Sequence, residues 1–342
     1  GRECFRALTT PEAVTLVSSA GKVRASVPAG SKATADMVQT DEAFWSVFSF
    51  RFLSGTGFTR ADCDAGLPRA VLSATIARQL FGTTDVVGHT VQLNYIDYTV
   101  AGVVADVSML ATAAYAQIWV PYTAADAESL SWQDDTMGPM HAVILAHSSA
   151  DFDAIRKETE LLRQKYNDGL RDVEIFYRGQ PDTQLAYLYR RWYAEPDVPG
   201  VMLRYGIVIA ILLLVPAVNL SGMTLSRMRR RMAEIGVRKA FGATGGELIR
   251  QVFFENFVLT LLAGVVGLAL SYAATFLLND FLFSNSTNAY LSGETALTPG
   301  MLLSPWAFIA AFAFCLLMNV LSAGIPAWRA SRMNITDAIN QR

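Results

Sequence analysis

The sequence predicts an α+β extracytoplasmic domain followed by an α-helical membrane domain with three transmembrane helices. Three observations lead to this fold class. Hydrophobic residues make up 52% of the 342, and the second half of the chain contains three long stretches without a charge. The first 204 residues instead alternate short runs rich in β-branched residues with two amphipathic segments. The Lys and Arg residues after position 204 all lie on one side of the predicted spans, which fixes the orientation in the membrane.

The outer domain, residues 1–204, is predicted to contain eight short strands. Each is bounded by Gly, Pro, Asp or Asn. The predicted strands are Val14–Val17, Val23–Val27, Ala70–Ser73, Thr90–Leu93, Tyr98–Val104, Ile118–Val120, Ala142–Ala146 and Val173–Phe176. A short helix is predicted to end at Gly82, and a longer one covers 151–169 with Phe152, Ile155, Leu162 and Tyr166 on one stripe. With its neighbouring strands the longer helix would make a β-α-β unit, as in an α+β domain.

Residues 178–204 lead from the outer domain into the first predicted span, and they carry a cluster of aromatic and basic side chains. The cluster consists of Tyr187, Tyr189, Arg190, Arg191, Trp192 and Tyr193. Tyr and Trp rings favour the headgroup layer of a bilayer, and Arg side chains can extend to it. A stalk helix packed on neighbouring protein explains the same composition, and the sequence leaves both interpretations open.

The three uncharged stretches are 205–223, 257–278 and 305–325, with 19, 22 and 21 residues. A bilayer core of about 30 Å needs about 20 helical residues, so each stretch is long enough to cross. In the second span, Ala263, Gly267 and Ser271 recur at four-residue spacing. Such an edge of small residues predicts close packing against another membrane helix.

The basic residues orient these spans. Seven lie in the loop 224–256 and three in the tail 326–342, whereas the loop 279–304 has no Lys or Arg. Because short loops rich in Lys and Arg stay in the cytoplasm, the loop 224–256 and the tail are predicted inside, with the outer domain and the loop 279–304 outside. An outer domain that must cross the membrane leads us to expect a fourth membrane segment before Gly1.

The loop 224–256 combines charge with a run of glycines. Residues 225–241 have one apolar and one basic edge at helical spacing, which would also suit a helix lying on the membrane surface. The segment GATGG at 242–246 interrupts that helix, because glycine is unfavourable in helices by about 1 kcal/mol relative to alanine. Thr244 and Glu247 have the spacing of a capping box, so a second helix is predicted to begin there. The pattern predicts a compact helix–turn–helix, typical of a protein docking site.

The sequence EIGVRKAFGAT at 234–244 resembles the signature of the FtsX-like permeases of ABC systems, which include the MacB-type and lipoprotein-releasing transporters. The stretches 50–62, 70–107 and 118–122 resemble the MacB-type periplasmic core domain, and the tail resembles the end of the family pattern. The resemblance implies that the loop 224–256, hereafter the coupling loop, contacts an ATP-binding subunit. The implied contact residues are Glu234, Ile235, Gly236, Arg238, Lys239, Ala240, Phe241, Gly242 and Ala243.

The same resemblance implies a permease subunit of the bacterial inner membrane. It would couple ATP hydrolysis by its partner to conformational work outside, exporting a peptide, drug or lipoprotein. Expected partners are the ATP-binding subunit, a second copy or a related permease, an extracytoplasmic protein and membrane lipid, without nucleic acid. ATP and Mg would bind the partner, because this chain lacks a G-x-x-x-x-G-K-[ST] loop and metal-site spacing. Cys4 and Cys63 are both expected outside, where a disulfide is permitted but not required.

Two alternatives remain open at this point. The first is a signalling module, in which the outer domain is a sensor or regulates a cell-wall hydrolase. The second is a membrane-anchored binding protein without an ATPase, for which the coupling loop would be inert.

Overall fold

The computed structural model describes residues 4–28, 31–109, 111–124, 138, 140–190, 194–215, 218, 237–238, 241–278, 306 and 308–318. The chain divides into two compact units between Glu195 and Pro196, close to the expected domain boundary. The first unit contains β1 (Ala13–Ser18), β2 (Gly21–Ser26), β3 (Lys32–Thr40), α1 (Phe44–Val47), β4 (Phe52–Gly55), α2 (Arg60–Asp64), β5 (Arg69–Ser73), α3 (Ala74–Phe81), β6 (Thr90–Leu93), β7 (Ile96–Val104), β8 (Ile118–Pro121), β9 (Met140–Leu145), α4 (Phe152–Asn167) and α5 (Gln184–Tyr189). The second unit contains α6 (Val198–Val215), α7 (Gly245–Leu277) and α8 (Phe308–Met318).

The strands form one mixed sheet whose pairing closes on itself. Its order is β2-β6-β7-β5-β8-β3, and β2 also pairs with β3, so these six strands make a ring. β1 pairs with the same edge of β3 as β2 does, and β9 pairs with the other edge of β1. β4 pairs with β7. Two pairs, β3 with β8 and β5 with β7, are parallel and the other pairs are antiparallel, so a mainly antiparallel sheet with a few helices makes this an α+β domain.

One hydrophobic cluster joins the ring to α3. Leu72, Val100 and Ile118 of the strands are fully buried there, together with Ile76 and Leu80 of α3. The ends of α3 are set locally, because the Ser73 hydroxyl accepts from the Ile76 N–H and Gly82 ends the helix in the left-handed region at φ 77°. The predicted helix ending at Gly82 is therefore confirmed.

A second cluster in the same domain is largely aromatic. Trp45 makes edge-to-face contacts with five rings at centroid distances of 5.2 to 6.3 Å, those of Phe44, Phe50, Phe52, Phe58 and Trp119. Edge-to-face ring pairs stabilise a fold by more than the burial of their apolar surface alone. This cluster stabilises the segment between α1 and β5, in which few residues favour a strand.

Seven of the eight predicted strands are present, and two strands, β3 and β4, were not predicted. β3 reads KATADMVQT, which is low in β-branched residues and has an acidic residue at its centre. That residue, Asp36, is buried and accepts from the Tyr115 hydroxyl at 2.8 Å. Pairing with β2 and β8 therefore decides the conformation of this segment against its local composition.

The strand predicted at Val173–Phe176 is wrong, and so is the β-α-β unit built on it. The backbone of Ile175 is instead held by side chains of α4. Asn167 accepts from the Ile175 N–H at 3.0 Å and donates to its carbonyl at 3.0 Å, and Arg163 donates to the same carbonyl at 2.7 Å. Because side chains satisfy these backbone groups, no neighbouring strand is needed.

The first residues of the domain are fastened to α4 by one carboxylate. Glu158 accepts from the backbone N–H and hydroxyl of Thr9 at 2.7 Å each, and from the backbone N–H of Thr10 at 3.0 Å. A ring contact at 5.3 Å between Phe5 and Tyr177 ties the same segment to the chain that leads toward α5. The two ends of the domain are thus held to one another.

Glu158 makes this fastening dependent on pH. Partial burial disfavours its charged form, but the hydrogen bonds from Thr9 and Thr10 outweigh burial and lower its pKa to about 2. Since the folded pKa lies below the ordinary value of 4.5, the stabilisation is complete above the ordinary value and is lost as the pH falls toward 2.

We expect Glu158→Gln to lower the unfolding free energy of the outer domain by about 1 kcal/mol near neutral pH. Most of the difference from the wild type should be lost as the pH falls to 2, because the wild-type carboxylate is then becoming protonated too. Thermal unfolding at both pH values measures this, with Asp64→Asn as an exposed control. A deficit that stays constant with pH would show that charge on Glu158 is not what holds Thr9 and Thr10.

The two external cysteines do not form a disulfide. Cys4 and Cys63 are free thiols and both are buried. Burial raises the pKa of the Cys63 thiol to about 12, which keeps it protonated and unreactive near neutral pH.

In the second unit, α6 and α7 are long and apolar enough to cross a membrane. α7 has 33 residues, a length of about 50 Å, and contains the whole predicted span 257–278 except its last residue. The first predicted span, 205–223, is helical over its described part, and that helix begins earlier, at Val198. α8 is an apolar helix within the third predicted span, 305–325, which otherwise stays a prediction.

Candidate functional site

The described part of the coupling loop consists of Val237, Arg238 and the residues from Phe241 onward. The first helix ends in a two-bond cap. The Phe241 N–H donates to the Val237 carbonyl at 3.1 Å, and the Ala243 N–H donates to the Arg238 carbonyl at 3.0 Å. Gly242 lies between them at φ 93°, which is the left-handed residue of a Schellman motif. The glycine is therefore required by the backbone of this turn.

The second helix begins immediately after this cap. Thr244 is the N-cap of α7, and its hydroxyl accepts from the Glu247 N–H at 3.4 Å while Glu247 accepts from the Thr244 N–H at 2.9 Å. The backbone hydrogen bond from Thr244 lowers the pKa of Glu247, so its carboxylate is charged at neutral pH. The predicted capping box is confirmed, and the two helices are joined by a very short turn.

A side-chain hydrogen bond joins the two arms. Arg238 Nη1 donates to Oε1 of Gln251 at 2.6 Å, across thirteen positions of sequence. Arg238 was predicted as a contact to an ATP-binding subunit, but in this structure its guanidinium also braces the turn. Gln251 could not be predicted from the sequence, because a single glutamine forms no recognisable pattern. Its role becomes visible only once it is known that the chain turns back and brings Gln251 beside Arg238.

Phe241 is the most exposed large hydrophobic residue in the part of the chain that the structure describes, at 89% of its full accessibility. It occupies the tip of the turn, between the end of the first helix and Gly242. Ala243 on the other side is half-buried. A largely exposed aromatic ring on a capped turn is suited to fill an apolar pocket of another protein.

Five of the predicted contact residues lie outside the described residues: Glu234, Ile235, Gly236, Lys239 and Ala240. The structure brings together the other four, Arg238, Phe241, Gly242 and Ala243. Their predicted contact with a partner stays a prediction.

The predicted helix-packing edge is exposed. Ala263, Gly267 and Ser271 are all open on the surface of α7, whereas the neighbouring Gly264 lies against the ring of Phe312 in α8. A Cβ added at Gly264 would stand 3.2 Å from Cδ2 of that ring. α7 therefore approaches α8 at Gly264, one position from the predicted edge, and close packing of another helix on Ala263, Gly267 and Ser271 stays a prediction.

Comparison with known families divides the chain in the same way. Residues 4–162 match the MacB-like periplasmic core domain, and residues 206–335 match the FtsX-like permease C-terminal domain. Together the two matches cover most of the chain.

Individual relatives agree with these matches. Over 298 residues the chain is 25% identical to the pyoverdine export ATP-binding/permease protein PvdT of Pseudomonas aeruginosa, covering 86% of this chain and 41% of that protein. It is 26% identical to the macrolide export ATP-binding/permease protein MacB of Chromobacterium violaceum, and the match covers 89% of this chain and 43% of that protein. It is 25% identical to the ABC transporter permease YknZ of Bacillus subtilis, and the match covers 87% of this chain and 68% of that protein. The chain thus spans about two fifths of the length of the first two relatives.

Proposed function

Because the chain belongs to the FtsX/MacB-type permeases, we propose that its coupling loop docks on a separate ATP-binding subunit and transmits that subunit's movement across the membrane. The observation that carries the proposal is the tip of the loop. Phe241 is fully exposed on a turn whose backbone is fixed by the Gly242 cap, the Thr244 capping box and the Arg238–Gln251 bond.

The continuity of α7 supports transmission of movement. Its 33 residues include the capping box at one end and the uncharged stretch from Phe257 at the other. The segment from Gly245 to Asn256 adds about 18 Å of helix before the membrane stretch begins. A displacement of the turn that precedes Thr244 would therefore pass along one continuous helix into the membrane stretch. Conformational work follows if the partner binds the two states with different affinity.

ATP and Mg belong on the partner in this proposal. The sequence contains no G-x-x-x-x-G-K-[ST] loop that could hold triphosphate.

The outer domain performs the work on the extracytoplasmic side. The first residues of the domain are hydrogen-bonded to Glu158 and contact Tyr177. The domain would therefore move as one body when the membrane helices that follow it move. Two relatives are named for export of pyoverdine and of macrolides. We propose that this chain, paired with a second copy or a related permease, exports a peptide, drug or lipoprotein.

The direct test reconstitutes this chain with the candidate ATP-binding subunit and measures ATP hydrolysis. We expect addition of this chain to change the rate of ATP hydrolysis severalfold, because the docked coupling loop transmits the conformation of the membrane helices to the ATP-binding subunit. An unchanged rate together with no measurable binding would contradict the docking role. Retained binding with an unchanged rate would contradict transmission alone.

The turn itself offers a graded test at Gly242. Nothing lies within 4 Å of the position where a Cβ would stand among the described residues, so a substitution there acts through the backbone alone. We expect Gly242→Val to weaken binding of the ATP-binding subunit about tenfold, because a β-branched residue costs about 1–2 kcal/mol in the left-handed region. Gly242→Asn is the matched control, since asparagine tolerates this conformation. Equal weakening by both would show that the side chain, not the turn, matters.

A further inference from the structure

We propose that α5 is a membrane-surface helix whose Leu185, Tyr187 and Leu188 lie in the lipid headgroup layer. This inference is independent of the docking role of the coupling loop. It concerns the aromatic segment for which the sequence left a choice between contact with lipid and packing on protein.

The exposure of α5 shows which side is free. Ala186 is buried against the domain, whereas Leu185, Tyr187 and Leu188 are exposed, Leu188 to 61%. The outward side of this short helix is thus apolar with one phenol, the composition that favours the interface between headgroups and acyl chains. A stalk helix packed on the described part of the domain would have buried these residues.

The orientation of α5 is fixed by a buried ion pair at its base. Arg190 and Asp182 flank the helix, both side chains are only 8% exposed, and Arg190 Nη2 donates to Asp182 Oδ1 at 2.7 Å. Arg190 also donates to the carbonyls of Arg178 at 3.1 Å and Ala194 at 3.2 Å. Arg190 therefore does not extend to the headgroups, as one interpretation of the sequence suggested. It holds α5 in one orientation instead.

Chain length places α5 near the bilayer. Because Arg190 binds the Ala194 carbonyl, only three residues lie between this anchored point and Val198, where the apolar helix α6 begins. The four steps from one Cα to the next between Ala194 and Val198 reach at most about 14 Å. A helix tethered this closely to a membrane-crossing segment is within reach of the headgroup layer, which adds several ångströms to each side of the hydrocarbon core.

Lipid fits this surface better than a protein partner. α5 has six residues and is about 9 Å long, so its free side is far smaller than the roughly 800 Å² per partner of a stable protein interface. Contact with lipid requires no such minimum area, because interfacial binding scales with whatever apolar area is buried.

The test places a bimane fluorophore at Leu188→Cys in the full chain, in a Cys315→Ser background that leaves only the two buried thiols. The protein is reconstituted in phosphatidylcholine nanodiscs containing a headgroup nitroxide lipid. The matched control is Leu161→Cys in α4, a leucine of similar exposure at 65%. We expect at least twofold stronger quenching at position 188 than at 161.

Two results would overturn the proposal. Equal quenching at both positions would place α5 in water. Weak quenching by lipid, combined with protection from aqueous iodide at position 188, would show contact with protein.

Discussion

Phe241→Ala is expected to weaken binding of the ATP-binding subunit about 30-fold. Full burial of a phenylalanine side chain contributes about 2 kcal/mol, and truncation of a central aromatic anchor removes that contribution. The exposed position of Phe241 means that the substitution removes no packing within the described residues, so folding of the chain should be unaffected. Titration of the detergent-solubilised chain with the purified subunit measures the change.

The matched control is Phe176→Ala in the outer domain, another phenylalanine that is largely exposed, at 63%. It should leave binding of the ATP-binding subunit unchanged. If both variants bind like the wild type, Phe241 is not an anchor, and the contact must lie in the part of the loop outside the described residues.

Leu72→Ala is expected to destabilise the outer domain by about 3–4 kcal/mol. Leu72 lies on β5, is fully buried and belongs to the cluster that joins the ring of strands to α3. Loss of its side chain combines a smaller transfer free energy with a cavity that well-packed strands cannot collapse. Thermal unfolding followed by near-ultraviolet circular dichroism measures the loss.

Leu161→Ala is the matched control, because the same atoms are removed from a leucine that is mostly exposed. Its effect should stay within about 0.5 kcal/mol. We further expect Leu72→Ala to keep its binding to the ATP-binding subunit, since the coupling loop belongs to the other compact unit. Loss of binding in Leu72→Ala would show that the two units are not independently folded.

The features that the sequence predicted correctly are those with a local cause. The helix ending at Gly82 and the start of α7 at Thr244 both depend on capping residues within a few positions, and both are confirmed. The family was also predicted correctly, from an eleven-residue signature and three outer-domain stretches.

The features that the sequence missed have distant causes. β3 is a strand because β2 and β8 lie on either side of it, although its own residues favour strands weakly. Residues 173–176 have strand-like composition, yet Asn167 and Arg163 take their backbone hydrogen bonds. Gln251 and Glu158 act on residues thirteen and about 150 positions away, and single polar side chains carry no periodic pattern that would reveal such partners.

The central claim is that the tip of the coupling loop is held by a separate ATP-binding protein. A photoactivatable phenylalanine analogue at position 241, irradiated in intact cells, tests it most directly. We predict one crosslinked product that contains a protein with a phosphate-binding loop, and no such product from the analogue at Phe176. Capture of lipid alone, or of no ATP-binding protein, would contradict the account.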